Sequence, residues 1–213
     1  MIEMIKRIQI ISSNTFYPYF NQALEKYLFD SMDSETVILF LWQNERSVSF
    51  GCSQKLKEDA SALRFIEEGG FPVRRLSEGR TVFQDRGDLN YSFLAKKDLF
   101  DMEKQFQILT DACRRIGLNT ENPDSSGLTI DGEPFSFSTS YVSDILSLHH
   151  GTMKLTACCP SVSPETMENS LLQSFENQYG LSAEPISAEK LDFAVITSYE
   201  KIFRDDSWIN GQV

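Results

Sequence analysis

The alternation of apolar and polar positions predicts a domain in which strands and helices are interspersed. Residues 36–42, TVILFLW, form a continuous apolar run that is typical of a strand buried on both faces. Residues 48–51 follow as its predicted antiparallel partner, with Asn44 and Glu45 in the turn. Apolar residues recur at helical spacing in five segments, which predicts helices over residues 21–30, 60–69, 97–117, 164–179 and 188–204.

Turn residues between short apolar segments predict two hairpins. Residues 73–76 and 81–83 flank a turn at 77–80, and residues 128–130 and 135–141 flank Asp131-Gly132. Residues 90–95 and 149–156 predict further strands. The fold class is therefore α/β (α+β), with a mixed, largely antiparallel sheet and helices packed on it. We expect a single domain over residues 1–213.

Composition and charge narrow the possible functions. The chain has 213 residues, of which 41% are hydrophobic and 24% charged, as in ordinary globular proteins. A formal net charge of −11 argues against nucleic-acid or anionic-membrane partners, and no apolar run is long enough to span a bilayer. The N-terminus lacks the features of a signal peptide. We expect a cytoplasmic protein.

The cysteines do not indicate a metal site. Cys52, Cys113, Cys158 and Cys159 lack the Cys/His spacing that binds zinc, so we expect buried or half-buried thiols in a reducing compartment. We assign no metal ligand.

Two segments carry the candidate chemistry. Residues 72–93 read PVRRLSEGRTVFQDRGDLNYSF, and residues 128–155 read LTIDGEPFSFSTSYVSDILSLHHGTMKL. Together they resemble the active-site core of the lipoate–protein ligase A family, in which the segments read RRxSGGGAVFHDxGNLNFSF and DLVVDGKKxSGSA…HHGTLL. The strings NQALEKYLF, LFLWQNERSVSFGCSQ and SWING resemble further family segments and occur in the same order.

The resemblance implies the α/β catalytic domain of biotin and lipoate ligases. Such enzymes use ATP and Mg²⁺ to convert lipoate to lipoyl-adenylate. They then transfer the lipoyl group to a lysine of a carrier domain, in a 2-oxoacid dehydrogenase or a glycine cleavage protein. Many relatives carry a separate C-terminal accessory domain, which we do not expect in this sequence.

The resemblance also implies a set of nucleotide- and lipoate-binding residues. In this family, glycines let backbone N–H groups approach the acyl-phosphate, and an arginine binds its oxygens. Carried over by position, the set is Arg75, Ser77, Gly79, Arg80, Val82, Phe83, Ser138, His150 and Gly151.

Several chemically important family positions are occupied by other residue types. Glu78 and Arg80 replace glycines, and Gln84 replaces a histidine. Ser126-Gly127 replaces the asparagine–aspartate pair linked to nucleotide and magnesium. Phe137 replaces a glycine, and Pro134 replaces the charge-stabilising lysine. Removing one such group typically lowers a rate by ~10²–10³, so we expect weak or lost adenylation and assign no catalytic residue.

Several side chains leave alternatives open. Arg80 is a candidate substitute for the lysine, or it pairs with Glu78 or Asp85 and partly fills the pocket. Lys154 is expected to point to solvent from a strand edge. Because strand neighbours point to opposite faces, at most one of His149 and His150 lines the pocket.

Two questions about the acyl group also remain open. Phe135 and Phe137 share one strand face, where they either line an acyl tunnel or pack in the core. A covalent cysteine route would need a cysteine near Asn119, but Cys113 lies several residues away in a predicted helix. The alternative to a ligase is a non-catalytic relative that binds a lipoyl domain, lipoate or a ligase partner.

Overall fold

The computed structural model describes residues 5–124 and 126–212. The strands are β1 (Arg7–Ser12), β2 (Thr36–Trp42), β3 (Ser47–Phe50), β4 (Phe71–Arg74), β5 (Val82–Gln84), β6 (Leu89–Lys96), β7 (Thr129–Ile130), β8 (Glu133–Pro134), β9 (Ser136–Val142), β10 (Leu146–Met153) and β11 (Ala183–Pro185). The α-helices are α1 (Pro18–Ser31), α2 (Ala60–Glu67), α3 (Met102–Arg115), α4 (Leu155–Cys158), α5 (Pro164–Tyr179), α6 (Phe193–Phe203) and α7 (Asp206–Ile209).

A six-stranded mixed sheet forms the centre of the molecule. Its strand order is β11-β1-β2-β6-β10-β9. β1 pairs in parallel with β11 and β2, whereas the β2–β6, β6–β10 and β10–β9 pairs are antiparallel. The predicted mixed, largely antiparallel sheet with packed helices is confirmed.

Apolar residues on both faces of this sheet build two core layers. Alternate residues of β2 enter opposite layers, which explains its unbroken apolar sequence. Val37, Leu39 and Leu41 face the layer beneath α3 and α5, and Ile38, Phe40 and Trp42 face the layer that includes α1 and α6. Burial of both faces fixes the register of the central strands.

The α1 side of β6 and β10 changes from apolar to polar toward one end. Asn90 and Ser92 of β6 pair with Thr152 and His150 of β10, and all four are buried. Their strand neighbours Leu89, Tyr91 and Phe93 enter the other core layer. We call these four residues the polar floor.

The prediction that residues 48–51 pair with β2 is wrong. β3 does not join the central sheet but lies between β4 and β5 in a second sheet, parallel to β4 and antiparallel to β5. The connection turns away because Asn44 is buried and bonded to Asn21 and Gln84. The hairpin predicted for residues 73–83 is also wrong, since β3 separates its two strands.

The second predicted hairpin is correct only at its turn. Asp131 and Gly132 both have positive φ, of 51° and 82°, and connect β7 to β8. Only those two-residue strands pair with each other, because β9 instead pairs along its length with β10.

Most helix predictions are confirmed, with shifted ends where a side chain caps the helix. α5 has the predicted bounds. α3 begins at Met102 because the Asp101 carboxylate accepts the Lys104 N–H. The last predicted helix is divided, since Asp192 caps a new helix by accepting the Ala194 and Val195 N–H groups.

All four cysteines are free thiols. Cys113 and Cys159 are buried and Cys52 is half-buried, as expected, but Cys158 is exposed. The reason is that the predicted strand over 149–156 ends at Met153, and the short helix α4 turns Cys158 outward. Among the described residues, no helix combines the length and apolar character needed to cross a bilayer.

His149 lies in the apolar layer opposite the polar floor. Its Nδ1 donates to Gln105 Oε1 at 2.9 Å, and its ring packs against Phe93 and Phe106. Burial lowers its pKa from 6.5 to about 3, with a smaller contribution from neighbouring His150. His149 is therefore a neutral core residue, which confirms that only one of the two histidines faces the site.

The depressed pKa of His149 predicts a specific loss of stability in acid. Below pH 6.5 the unfolded chain binds a proton at this site, whereas the folded chain stays neutral down to about pH 3. The site therefore lowers the free energy of unfolding by about 1.4 kcal/mol per pH unit as pH falls through that window. Urea unfolding of the wild type and His149→Phe between pH 4 and 7 should show the shallower slope in the variant. Parallel slopes would contradict the assignment.

Candidate functional site

A cavity of about 420 Å³ lies over the polar floor of the central sheet. Its walls come from α1, from the second sheet with the turn after β4, and from residues 123–124 and 126–129. All the predicted binding residues except Ser77 and Phe83 line it, namely Arg75, Gly79, Arg80, Val82, Ser138, His150 and Gly151. The fold thus brings both candidate segments to one cavity.

Arg75 organises the turn at one side of this cavity. Its guanidinium donates to the backbone carbonyls of Glu78 and Arg80, at 3.3 and 3.0 Å, and to Ser49 Oγ at 3.2 Å. Its Nε is buried and has no hydrogen-bond partner among the described residues. Burial lowers the Arg75 pKa to about 10, so the side chain still carries its charge at neutral pH. The cavity wall therefore contains a fixed cation with a free donor.

Gly79 gives the same turn its compact shape. Its φ of +118° is a conformation that side chains disfavour, and an added Cβ would come 3.2 Å from an Arg75 nitrogen. At Gly51, an added Cβ would come 2.7 Å from the Gly79 carbonyl oxygen. The turn therefore needs glycine at position 79, and its close packing against the loop after β3 needs glycine at position 51. Of the three glycines that the family has in this turn, only Gly79 remains.

The replacements Glu78 and Arg80 diverge from each other. The Glu78 carboxylate accepts hydrogen bonds from Cys52 Sγ at 3.1 Å and Ser53 Oγ at 2.5 Å, outside the cavity wall. Arg80 is exposed and lines the cavity, and within residues 5–124 and 126–212 no ion pair joins it to Glu78 or Asp85. The predicted pairing is wrong, because the turn directs the two side chains apart.

A chain of buried polar groups holds His150 against the floor. Ser77 Oγ lies 2.6 Å from His150 Nε2, and Glu25 Oε1 lies 2.8 Å from His150 Nδ1. Glu25 also accepts from Ser92 Oγ. The order resembles a nucleophile, a base and its orienting acid, but Ser77 is 1% exposed and lies outside the cavity wall. This series of hydrogen bonds therefore positions His150 and does not present a serine to a ligand.

A second polar network centres on Gln84, which occupies the family's histidine position. Its Nε2 donates to Asn90 Oδ1 and Thr152 Oγ1, both at 2.8 Å, and its Oε1 accepts from Asn44 at 2.8 Å. Gln84 thus joins the second sheet to the central sheet.

Sequence comparison missed several of the residues that shape the cavity. Glu25, Asn44, Asn90 and Thr152 line it but belong to no predicted binding set. The sequence contains a signal for three of them. Glu25 is a polar residue on the apolar face of a predicted helix, and Asn90 and Thr152 are polar residues within predicted strands.

The magnesium-linked family positions do not fit a metal here. An added Cβ at Gly127 would come 2.1 Å from the Ser136 carbonyl oxygen, so the present backbone cannot hold an aspartate there. Asp124 and Glu25 are the carboxylates at the cavity, and Glu25 is bonded to His150 and Ser92. The described part of the chain contains no cluster of three His, Cys, Asp or Glu residues suited to a metal.

The remaining predicted positions are divided between the cavity and other regions. Pro134 is exposed and lines the cavity, and Phe137 lines it too. Phe135 is fully buried in the core layer beneath α3, so the two phenylalanines differ in role. Phe83 is 37% exposed and packs edge-on against Phe65, away from the cavity wall.

Lys154 does not point freely into solvent, contrary to the sequence prediction. Its Nζ donates to the Asp88 carboxylate and to the Phe83 carbonyl oxygen at 2.8 Å. The Lys154 and Asp88 side chains are only 22% and 3% exposed. The lysine turns inward because the strand ends at Met153, one residue before it. It also lies outside the cavity wall.

The sheet order, the glycine turn and the cavity between them define an α/β domain of the biotin and lipoate ligase class. The model for the lipoyl protein ligase A/B catalytic domain matches residues 17–187. The chain belongs to this family.

Individual relatives agree with the family assignment. Lipoate-protein ligase A of Psychrobacter cryohalolentis is 26% identical over 211 residues, which are 95% of this chain and 62% of that protein. P. falciparum LipL1 in complex with lipoate has a TM-score of 0.85 at 19% identity, over 97% of this chain and 74% of that one. A lipoate-protein ligase A bound with ATP has a TM-score of 0.83 at 17% identity, over 97% and 99%. At these identities the solved structures show a shared fold.

The buried ion pair beside the cavity generates a stability prediction. Lys154→Met leaves the Asp88 carboxylate buried without its cation, which typically costs about 3–5 kcal/mol. Urea unfolding at pH 7 measures this loss. Adding Asp88→Asn to the variant removes the uncompensated charge and should recover much of the stability. A Lys154→Met protein as stable as the wild type would show that the pair contributes nothing.

Proposed function

We propose that the cavity binds lipoate or a related acyl acid together with ATP, in a lipoate–protein ligase-like domain whose adenylation activity is weak or lost. The observation that carries this proposal is the charge content of the cavity. Arg75 supplies a fixed cation with a free donor, while the position of the family's lysine is occupied by Pro134. The cavity is therefore equipped to bind an anion better than to activate one.

The binding half of the proposal rests on Arg75. A guanidinium donor suits a carboxylate or a phosphate oxygen, and burial strengthens the interaction. Arg75 Nε is buried in the wall of the cavity and finds no acceptor within the described residues. The lipoate-bound and ATP-bound proteins that share this fold make these two ligands the first to test.

The catalytic half concerns the charge that develops when a carboxylate attacks the nucleotide α-phosphate. Pyrophosphate is the leaving group, and cations must stabilise the oxygens as the reaction proceeds. Arg75 holds one side of the site through its backbone contacts. Arg80 also lines the cavity, but it stands at a glycine position of the family and not at the lysine position. Mg²⁺ lacks matching protein ligands at the aligned positions Ser126 and Gly127.

The acceptor that we propose is a lipoyl carrier domain, of a 2-oxoacid dehydrogenase or a glycine cleavage protein. One structure of the same fold is a bi-partite lipoate protein ligase and its E2 lipoyl domain from Thermoplasma acidophilum, with a TM-score of 0.81. The alternative function is a non-catalytic relative that binds a lipoyl domain, lipoate or a ligase partner. The absence of the lysine at position 134 favours this alternative.

Adenylation is tested directly. Purified protein is mixed with lipoate, ATP and Mg²⁺, and lipoyl-adenylate is followed by mass spectrometry with pyrophosphate release as a second readout. We expect slow formation or none. Pro134→Lys should raise the rate by at least about tenfold, because it restores a cation at an exposed position of the cavity wall. Pro134→Met is the matched control, since it removes the ring without adding a charge.

The outcomes distinguish a ligase from a non-catalytic relative. Rapid wild-type turnover would contradict the loss of activity, and Arg80→Gly would then show whether Arg80 replaces the lysine. Without turnover, calorimetry with lipoate and with an apo lipoyl domain measures the retained binding role. A protein that neither reacts nor binds lipoate or ATP would refute the proposed function.

A further inference from the structure

The floor of the cavity contains a hydrogen-bond donor that the fold leaves unused. Asn90 is 1% exposed and lines the cavity. Its Nδ2 is buried and finds no acceptor among residues 5–124 and 126–212. Leaving a buried polar group without a partner is unfavourable, so a cavity that keeps one is suited to a ligand that satisfies it.

A directional network fixes the orientation of the Asn90 amide. Asn21 Nδ2 donates to Asn44 Oδ1 at 3.0 Å, and Asn44 Nδ2 donates to Gln84 Oε1 at 2.8 Å. Gln84 Nε2 donates in turn to Asn90 Oδ1 at 2.8 Å. Every donor in this series points toward Asn90, which leaves only its oxygen to accept.

Thr152 adds a second restraint on the same oxygen. Its hydroxyl accepts from Gln84 Nε2 and donates to Asn90 Oδ1 at 2.6 Å. Rotating the Asn90 amide by 180° would place its NH₂ group against these two donors. The network therefore holds Oδ1 toward Gln84 and Thr152 and leaves Nδ2 as the unpaired atom of a residue that lines the cavity.

We propose that the Asn90 amide is a ligand-binding subsite that donates a hydrogen bond to an acceptor oxygen of the bound molecule. The donor is neutral, unlike Arg75, and it is presented by Gln84 at the position where the family has histidine. Asn90 pairs with Thr152, two residues along β10 from His150 on the same face. That spacing places it roughly 6.6 Å from the Glu25–His150 pair. The ligand therefore meets two distinct polar regions on the floor.

The acceptor oxygen has two possible sources, which are the carboxyl group of an acyl acid and a phosphate of a nucleotide. Both present oxygen lone pairs to the same N–H group. The inference rests on the proposed function, since it assigns a subsite within the cavity that binds these ligands.

Calorimetry with separate ligands tests the subsite and distinguishes the sources. Wild type and Asn90→Ala are titrated with octanoate, with lipoate and with ATP. We expect Asn90→Ala to weaken binding of the ligand that reaches the subsite by about tenfold. A loss confined to the two acids identifies a carboxyl oxygen, and a loss confined to ATP identifies a phosphate oxygen.

Ser47→Ala provides the matched structural control. Ser47 is buried and donates to the same Gln84 oxygen at 3.3 Å, but it does not line the cavity. The control perturbs the network without removing the donor, so we expect unchanged affinities. Equal weakening in both variants would reduce Asn90 to a structural role and overturn the proposal.

A second variant keeps the test decisive if Asn90→Ala unfolds. Asn90→Asp has nearly the same shape and retains an oxygen toward Gln84 and Thr152, but it replaces the free donor with an acceptor. We expect it to weaken binding at least as much, with folding checked by thermal melting. Folded variants that bind all three ligands like the wild type overturn the subsite alone. A wild type that binds none of them overturns the proposed function as well.

Discussion

The site depends on how the Arg74 side chain is bound, one residue before the cavity arginine. Its guanidinium donates to backbone carbonyls, including those of Gln54 at 2.8 Å, Ile209 at 3.0 Å and Cys52, and it lies 5.0 Å from the Phe50 ring centre. These contacts connect β4, the loop after β3 and the C-terminal helix α7. Five N–H donors in a rigid plane suit this task, which a lysine would perform poorly.

The arrangement around Arg74 explains the position of Arg75. The Arg74 carbonyl accepts from Gln22 of α1 and from Trp208 Nε1 of α7, so both the backbone and the side chain of this residue are fixed. Because successive strand residues point to opposite sides, fixing Arg74 directs Arg75 toward the cavity. The terminal SWING string therefore acts at a distance, by orienting the arginine that the cavity uses.

The sequence was informative where local periodicity determines the structure. Thr36–Trp42 and Pro164–Tyr179 have the predicted bounds because their burial pattern is written in consecutive residues. β3 was assigned to the wrong sheet because its partners lie more than twenty residues away and its connection is set by the buried Asn44. The two segments that resemble the family both contribute to the cavity. The hydrogen bonds of Glu78, Lys154 and Gln84, in contrast, depend on side-chain packing that no short motif specifies.

The substitutions in the cavity differ in how readily they can be reversed, and this separates the missing lysine from the missing metal ligand. Pro134 is exposed, so a lysine fits there without repacking. Gly127 has φ of +154° and lies against the Ser136 backbone, so an aspartate there requires the chain around it to move. A single substitution can therefore restore the cation but not the carboxylate. Any activity gained by Pro134→Lys would measure what the cation contributes on its own, within a floor whose polar groups are still intact.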